Sequence, residues 1–251
     1  MSWVRKGLTT GIKTTCFPAH EETAAGVSPG LPSGCEYPHD QARGIVERCP
    51  TGAISLLDNH LAVDYRRCIH CFRCRYDTKA PIRWQEGYEW AATGGRGQRQ
   101  PLERAFSRSM HILVVDAGDC GACLNEVKQL NNPYYNLHRL GFFITPTPRQ
   151  ADLLLVVGPG TDQMRVPLQK AYDAMSTPKR VIAVGACALS GGIFGPSFVC
   201  GPGVGDLLRI DVEVPGNPPP PLAILHGLLV AAGRKAAAPL VSLAPSAPVK
   251  A

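Results

Sequence analysis

Apolar residues are distributed differently in the two halves of the chain, and the difference predicts two kinds of structure. In the second half, residues 112–115, 153–157 and 181–184 are unbroken apolar runs, and each ends in a Gly-containing loop at 116–118, 158–160 and 185–187. Continuous rather than alternating hydrophobicity marks a strand covered on both faces, as in a parallel sheet. Between the last two runs, Leu168, Ala171, Tyr172 and Met175 recur at helical spacing. Residues 210–214 offer one more strand, and 222–232 an apolar helix with Gly233 as its C-terminal stop. Strands alternating with helices predict an α/β fold with an open, doubly wound parallel sheet. In the first half only a hairpin is legible, with arms at 52–57 and 61–65 and a tight polar turn at Asp58, Asn59 and His60.

Composition narrows the class. The 251 residues are 45% hydrophobic, enough for one large domain or two modest ones. The formal charge of +6 is spread out, with no Lys/Arg block that reads as a nucleic-acid arm. No run of about 18 apolar residues predicts a membrane span. Arg5 and Lys6 are followed by no apolar secretory core. The 10 cysteines lie at metal-ligand spacings, which favours a reducing cytosol over a disulfide scaffold.

The cysteines carry the chemistry. Cys68, Cys71 and Cys74 stand at C-x2-C-x2-C spacing, and Cys49 precedes Pro50 upstream. In two-cluster ferredoxins the cysteine before proline serves the cluster held by the other motif. Cys49, Cys68, Cys71 and Cys74 therefore make a complete set for one [4Fe-4S] cluster, with Ile69 and Phe72 as its shield and His70 as a shield or hydrogen-bond donor. The competing readings are a zinc site, which the spacing fits poorly, or four buried thiols. Cys35 has no partner for a second set of this kind, and Cys16 reads as a plain thiol. The histidines at 20, 39, 60, 111, 138 and 226 are scattered and read mostly as surface or capping residues.

Residues 35–77 resemble the two-cluster ferredoxin subunits of energy-converting hydrogenases and of complex I, with one cluster's ligands deleted. Residues 7–18 resemble the arm that precedes those ferredoxins and lies along the membrane-facing subunits. Residues 108–112, 115–126, 147–152, 185–192 and 214–219 resemble, in order and spacing, the small subunit of group 4 [NiFe] hydrogenases, the counterpart of the 20 kDa-type subunit of complex I. That resemblance implies a second [4Fe-4S] cluster on Cys120, Cys123 and Cys187. The family's fourth cysteine is replaced here by Asn217, a hard amide ligand. Three readings follow: Cys200 supplies the fourth thiolate, the cluster keeps three thiolates, or the site is empty. Cys200 is preferred. Glu126 matches an acidic position of the family and reads equally as a first-turn helix residue.

The expected architecture is α/β, a ferredoxin-like [4Fe-4S] module followed by a doubly wound, flavodoxin-like module. Its parts are an extended arm (1–34), the single-cluster module (35–77), a surface linker (78–108), the small-subunit-like domain (109–235) and a flexible tail (236–251). The expected function is electron relay from a soluble donor or donor subunit to a hydrogenase-like or complex I-like large subunit. The chain would sit beside membrane subunits, peripheral on the cytoplasmic face, with no bond-making chemistry and no nucleic acid of its own. Two alternatives are a structural scaffold whose second site has decayed, and a stand-alone redox enzyme, for which no catalytic constellation is legible.

Overall fold

The computed structural model describes residues 2–11, 13–34, 39–57, 60–76, 82–95 and 108–242. Cys35 and the hairpin turn at Asp58 and Asn59 lie outside the described residues. In chain order the first half contains α1 (Trp3–Thr10), β1 (Leu31–Pro32), α2 (His39–Arg48), β2 (Ile54–Leu57), β3 (His60–Asp64), β4 (Trp84–Gln85) and β5 (Ala92–Thr93). The second half contains β6 (Met110–Asp116), α3 (Ala122–Gln129), β7 (Phe142–Ile144), β8 (Leu153–Val157), α4 (Asp162–Ala174), β9 (Arg180–Val184), α5 (Ala186–Ser190), β10 (Val212–Val214), α6 (Pro221–Ala231) and β11 (Val241–Ser242).

A six-stranded sheet in the order β5-β10-β9-β8-β6-β7 organises the second half. Every pair from β10 to β7 is parallel, and β5 closes one edge antiparallel. Counted from β6, the parallel strands run 2-1-3-4-5, the flavodoxin-like winding. The continuous apolar runs occur because both faces are covered. Leu153, Leu155 and Val157 point into one core with Ile182, Val184 and the apolar helix α6. Leu154 and Val156 point into the other with Leu168 and Met175, from α4 and the residue after it. Leu222, Ile224, Leu225, Leu228 and Leu229 of α6 are each 0–1% exposed. Side chains of this size contribute about 1.5–3 kcal/mol each on burial, so α6 is a major anchor of that face. Gly233 follows it, with the Arg234 N–H donating to the Leu229 carbonyl, as the sequence predicts.

The first half is built on a smaller antiparallel sheet, β11-β3-β2. The hairpin forms with Ile54 opposite Val63 and Leu57 opposite His60. Helix α2 packs Ala42 and Ile45 into the same core as Leu61, Val63 and α6, so the two halves share one continuous interior.

Three segments depart from their sequence reading. The arm is not simply extended, because it contains α1 and buries Phe17 to 1% exposure against Tyr88. The stretch read as a surface linker contributes β4 and β5 and buries Trp90, whose indole N–H donates to the Pro215 carbonyl at 2.8 Å. The described start of the tail, 236–242, lies along the first half: Val241 pairs with Asp64, and the Tyr65 N–H donates to the Leu240 carbonyl. His226 is also not a surface residue. It is 2% exposed, its Nδ1 accepts the Ala91 N–H at 3.0 Å, and its Nε2 lies 3.1 Å from the Ala236 carbonyl. Burial holds its pKa below the usual imidazole value.

Candidate metal centres

Cys49, Cys68, Cys71 and Cys74 line one small cavity. Two chain segments supply them, the end of α2 and the loop after β3. Pro32, Ile45, Ile54, Val63 and Phe72 complete an apolar wall. The loop curls around the cavity because His70 and Phe72 adopt left-handed backbone, φ 50° and 59°. Non-Gly residues in that region carry strain, which clusters at binding sites. Backbone amides reach the sulfurs: the Ala53 N–H donates to Cys49 Sγ at 3.2 Å, and the His70 N–H donates to Cys68. Such N–H to sulfur bonds are a recognised lever on cluster potential.

Aromatic rings close the cavity. Phe72 stacks on Trp84 at 4.5 Å, and His70 meets Trp84 and Trp90 edge-on at 5.7 and 6.1 Å. His70 is 8% exposed, and neither of its ring nitrogens has a hydrogen-bond partner. Burial lowers its pKa to about 4. Burial raises the Cys74 thiol pKa, and the Trp84 indole N–H, which lies towards Cys74 without closing a hydrogen bond of ordinary geometry, offsets part of that rise. Burial pushes the Cys68 thiol up to about 12, and neighbouring Cys74, Cys49 and Cys71 push the same way. Four thiolates this close to one another are unfavourable without a compensating cation. Among the described residues no group of three or more His, Cys, Asp or Glu is gathered tightly enough for a single metal ion. The four thiols share one lining, and a four-thiolate donor set is the kind that holds an iron–sulfur cube.

The second group of thiols lies at the carboxyl ends of the parallel strands. Cys120 and Cys123 follow β6, and Cys187 follows β9. In open α/β sheets ligands bind at these ends, at the point where strand order reverses. Close packing fixes the thiols. A Cβ on Gly185 would lie 2.5 Å from Cys123 Sγ, and one on Gly192 would lie 2.8 Å from Cys187 Sγ. Cys123 and Cys187 are buried while Cys120 is exposed. Burial raises the pKa of Cys123 and Cys187, and the charges of Asp119 and Cys120 add to it at both thiols. Cys200 is buried, but its thiol donates to the Gly195 carbonyl at 3.4 Å and lies 3.5 Å from Ser197 Oγ. Asn217 is turned to the other site: its amide donates to the Ile69 carbonyl, between Cys68 and Cys71, at 3.4 Å. Glu126 is not in the first turn of α3. It is part-buried, and burial raises its pKa. In the loop that follows Cys187 and α5, Ile193, Phe194 and Phe198 are exposed, at 64%, 56% and 94%.

The two sites are tied to each other. Arg66, just before Cys68, pairs with the buried Glu213 of β10 at 2.5 Å, and the Ser190 hydroxyl at the end of α5 donates to the Arg66 carbonyl. Sequence reading missed Trp84, Trp90, Arg66 and Asp119. Only Asp119 left a signal, as a capping-type residue just ahead of a helix.

Fold and site together define a doubly wound α/β protein with thiols at its switch point. A family described as NADH ubiquinone oxidoreductase, 20 Kd subunit, matches residues 120–231. The chain is 43% identical over 122 residues to an uncharacterized protein of Methanocaldococcus jannaschii, covering 49% of this chain and 82% of that one. It is 38% identical over 130 residues to a probable membrane-bound hydrogenase subunit of Pyrococcus furiosus, covering 52% and 78%. It is 44% identical over 108 residues to an NADH-quinone oxidoreductase subunit of Clostridium beijerinckii, covering 43% and 64%. The chain belongs to the NADH ubiquinone oxidoreductase 20 Kd subunit family. Its homologues are subunits of complex I-like and hydrogenase-like membrane complexes. Among the described residues no helix is long and apolar enough to cross a membrane.

Proposed function

We propose that this chain is the electron-relay subunit of a hydrogenase-like or complex I-like membrane assembly, a fusion of a one-cluster ferredoxin-like module (35–77) with a 20 kDa-type module (109–235). Residues 1–34 form its arm, 78–108 its connection and 236–251 its tail. The observation that carries this reading is the convergence of Cys49, Cys68, Cys71 and Cys74 on one apolar cavity. These four thiolates hold a [4Fe-4S] cluster, which supplies one-electron transfer when bound. Around it the Ala53 and His70 N–H groups neutralise sulfur charge, and Phe72, Trp84 and His70 exclude water.

Cys120, Cys123 and Cys187 hold a second cluster at the strand ends. Cys200 is the fourth thiolate nominated by the sequence, although its own loop engages it. Ile193, Phe194 and Phe198 face the partner large subunit, because exposed apolar side chains beside a redox site mark an interface in an obligate complex. Electrons enter at the first site from a soluble donor or donor subunit and leave at the second. The chain sits on the cytoplasmic face, held there by the membrane subunits of the same complex. A scaffold role is favoured only by Asn217, which occupies the family's fourth ligand position and faces the other site.

Electron paramagnetic resonance of the reduced complex separates these readings. Two cubane signals are expected, one lost in Cys68→Ala and the other in Cys187→Ala. A spectrum unchanged by both substitutions overturns the relay.

A further inference from the structure

We propose that the fourth corner of the second cluster is bound by the carboxylate of Asp119, whose Oδ1 is buried without a hydrogen-bond partner at the entrance to α3, in the loop that carries Cys120 and Cys123. This rests on the reading of Cys120, Cys123 and Cys187 as cluster ligands.

The other candidates are committed elsewhere. The Cys200 thiol is engaged by Gly195 and Ser197 of its own loop, and the Asn217 amide by Ile69 of the first site. Asp119 is half committed. Its Oδ2 accepts the N–H groups of Gly121 at 3.0 Å and Leu124 at 3.0 Å, which pins the carboxylate over the first turn of α3. The Asp116 carboxylate fixes it from behind, accepting the Asp119 N–H at 2.7 Å. The packing leaves no slack, because a Cβ on Gly158 would lie 2.5 Å from the Asp119 nitrogen. A buried carboxylate oxygen with no partner is costly, and iron is a partner that removes the cost.

An oxygen-ligated corner is harder and less firmly held than a thiolate one. Departure of that iron as Fe2+ from a 2+ cube leaves a neutral three-iron core. One-electron oxidation by added ferricyanide, itself reduced to ferrocyanide, leaves an all-ferric core with half-integer spin, which conventional resonance detects.

Asp119→Asn separates ligation from capping, because Asn caps helices about as well as Asp but brings no charge to iron. In the anaerobically purified complex, the wild type is expected to hold roughly eight irons per chain, as for two cubes. Asp119→Asn is expected to lose at least one of these and to show a three-iron signal after ferricyanide, with its melting temperature and first-site signal unchanged. Asp119→Cys, which returns a thiolate to the same backbone position, is expected to regain the iron even if the lost cap lowers stability. Cys200→Ser is expected to lose none. Full iron in Asp119→Asn, or iron loss in Cys200→Ser, overturns the assignment. A wild type with only the first-site signal overturns it too, while leaving the relay's entry site standing; loss of both signals removes the relay reading itself.

Discussion

The two cysteine sites are built by opposite means. The first has a complete set of four thiols but a soft frame. Its ligands come from the end of α2 and from one irregular loop, held in place by the left-handed residues His70 and Phe72 and by a stack of aromatic rings. The second has a rigid frame but an incomplete set of thiols. Its cysteines follow strands of the parallel sheet that feed both cores, and glycines let the backbone close in on two of the sulfurs. A loop can complete its ligand set because it bends towards what it binds. A strand end places its side chains accurately but cannot bend to bring another in.

The sharpest way to break the comparison is to remove a thiol from the soft site. Cys68→Ala is expected to abolish the first cluster, a loss of roughly four irons per chain, while the second-site signal persists. Iron analysis and resonance spectra check this, and simultaneous loss of both signals would mean that the sites are not independent.

The next effect concerns the link between them. Arg66→Ala leaves Glu213 buried without its cation. The expected cost is about 1–3 kcal/mol, below the range for a fully buried pair because a third of the Arg66 side chain is exposed, measured by chemical denaturation. Arg66→Met, which keeps the packing but not the charge, is expected to recover little.

A pH titration sharpens the rigid side. His226 is buried and neutral, with its folded pKa below the unfolded value of about 6.5. Stability is therefore full above that value and falls as the pH drops below it, because the unfolded chain takes up the proton and the folded chain resists. The slope is expected to reach about 1.4 kcal/mol per pH unit for one proton. His226→Gln is expected to flatten the curve below about pH 6.5 while lowering stability throughout.

The smallest effect belongs to Asn217. Its bond to the Ile69 carbonyl is long, so Asn217→Ala is expected to cost about 0.5 kcal/mol and to leave the iron content unchanged. Loss of second-site iron in this variant would make Asn217 a ligand rather than a strut.

What the sequence discloses follows from how each element is stabilised. The strands at 153–157 and 180–184 are legible because burial on both faces demands unbroken apolar runs. Strand β7 is not, since it has three residues at a sheet edge and Phe143 and Ile144 are exposed. Helix α2 hides because its charged and polar residues outnumber the apolar ones that face the core. Strands β4 and β5 are two residues each, too short for any period to register. At the sites, cysteine spacing reveals the thiols, because a loop that wraps a cluster repeats its geometry in its sequence. The contacts that connect the sites join residues more than a hundred positions apart, as with Arg66 and Glu213 or Asn217 and Ile69, and no local pattern records them. Asp119 is hidden differently, because its capping bonds give a carboxylate at that position a sufficient local reason.

The most direct test of the relay is quantitation of iron and acid-labile sulfide in the complex purified without oxygen. The account predicts a brown protein with roughly eight of each per chain, the content of two cubes. A colourless protein with neither iron nor sulfide would contradict it.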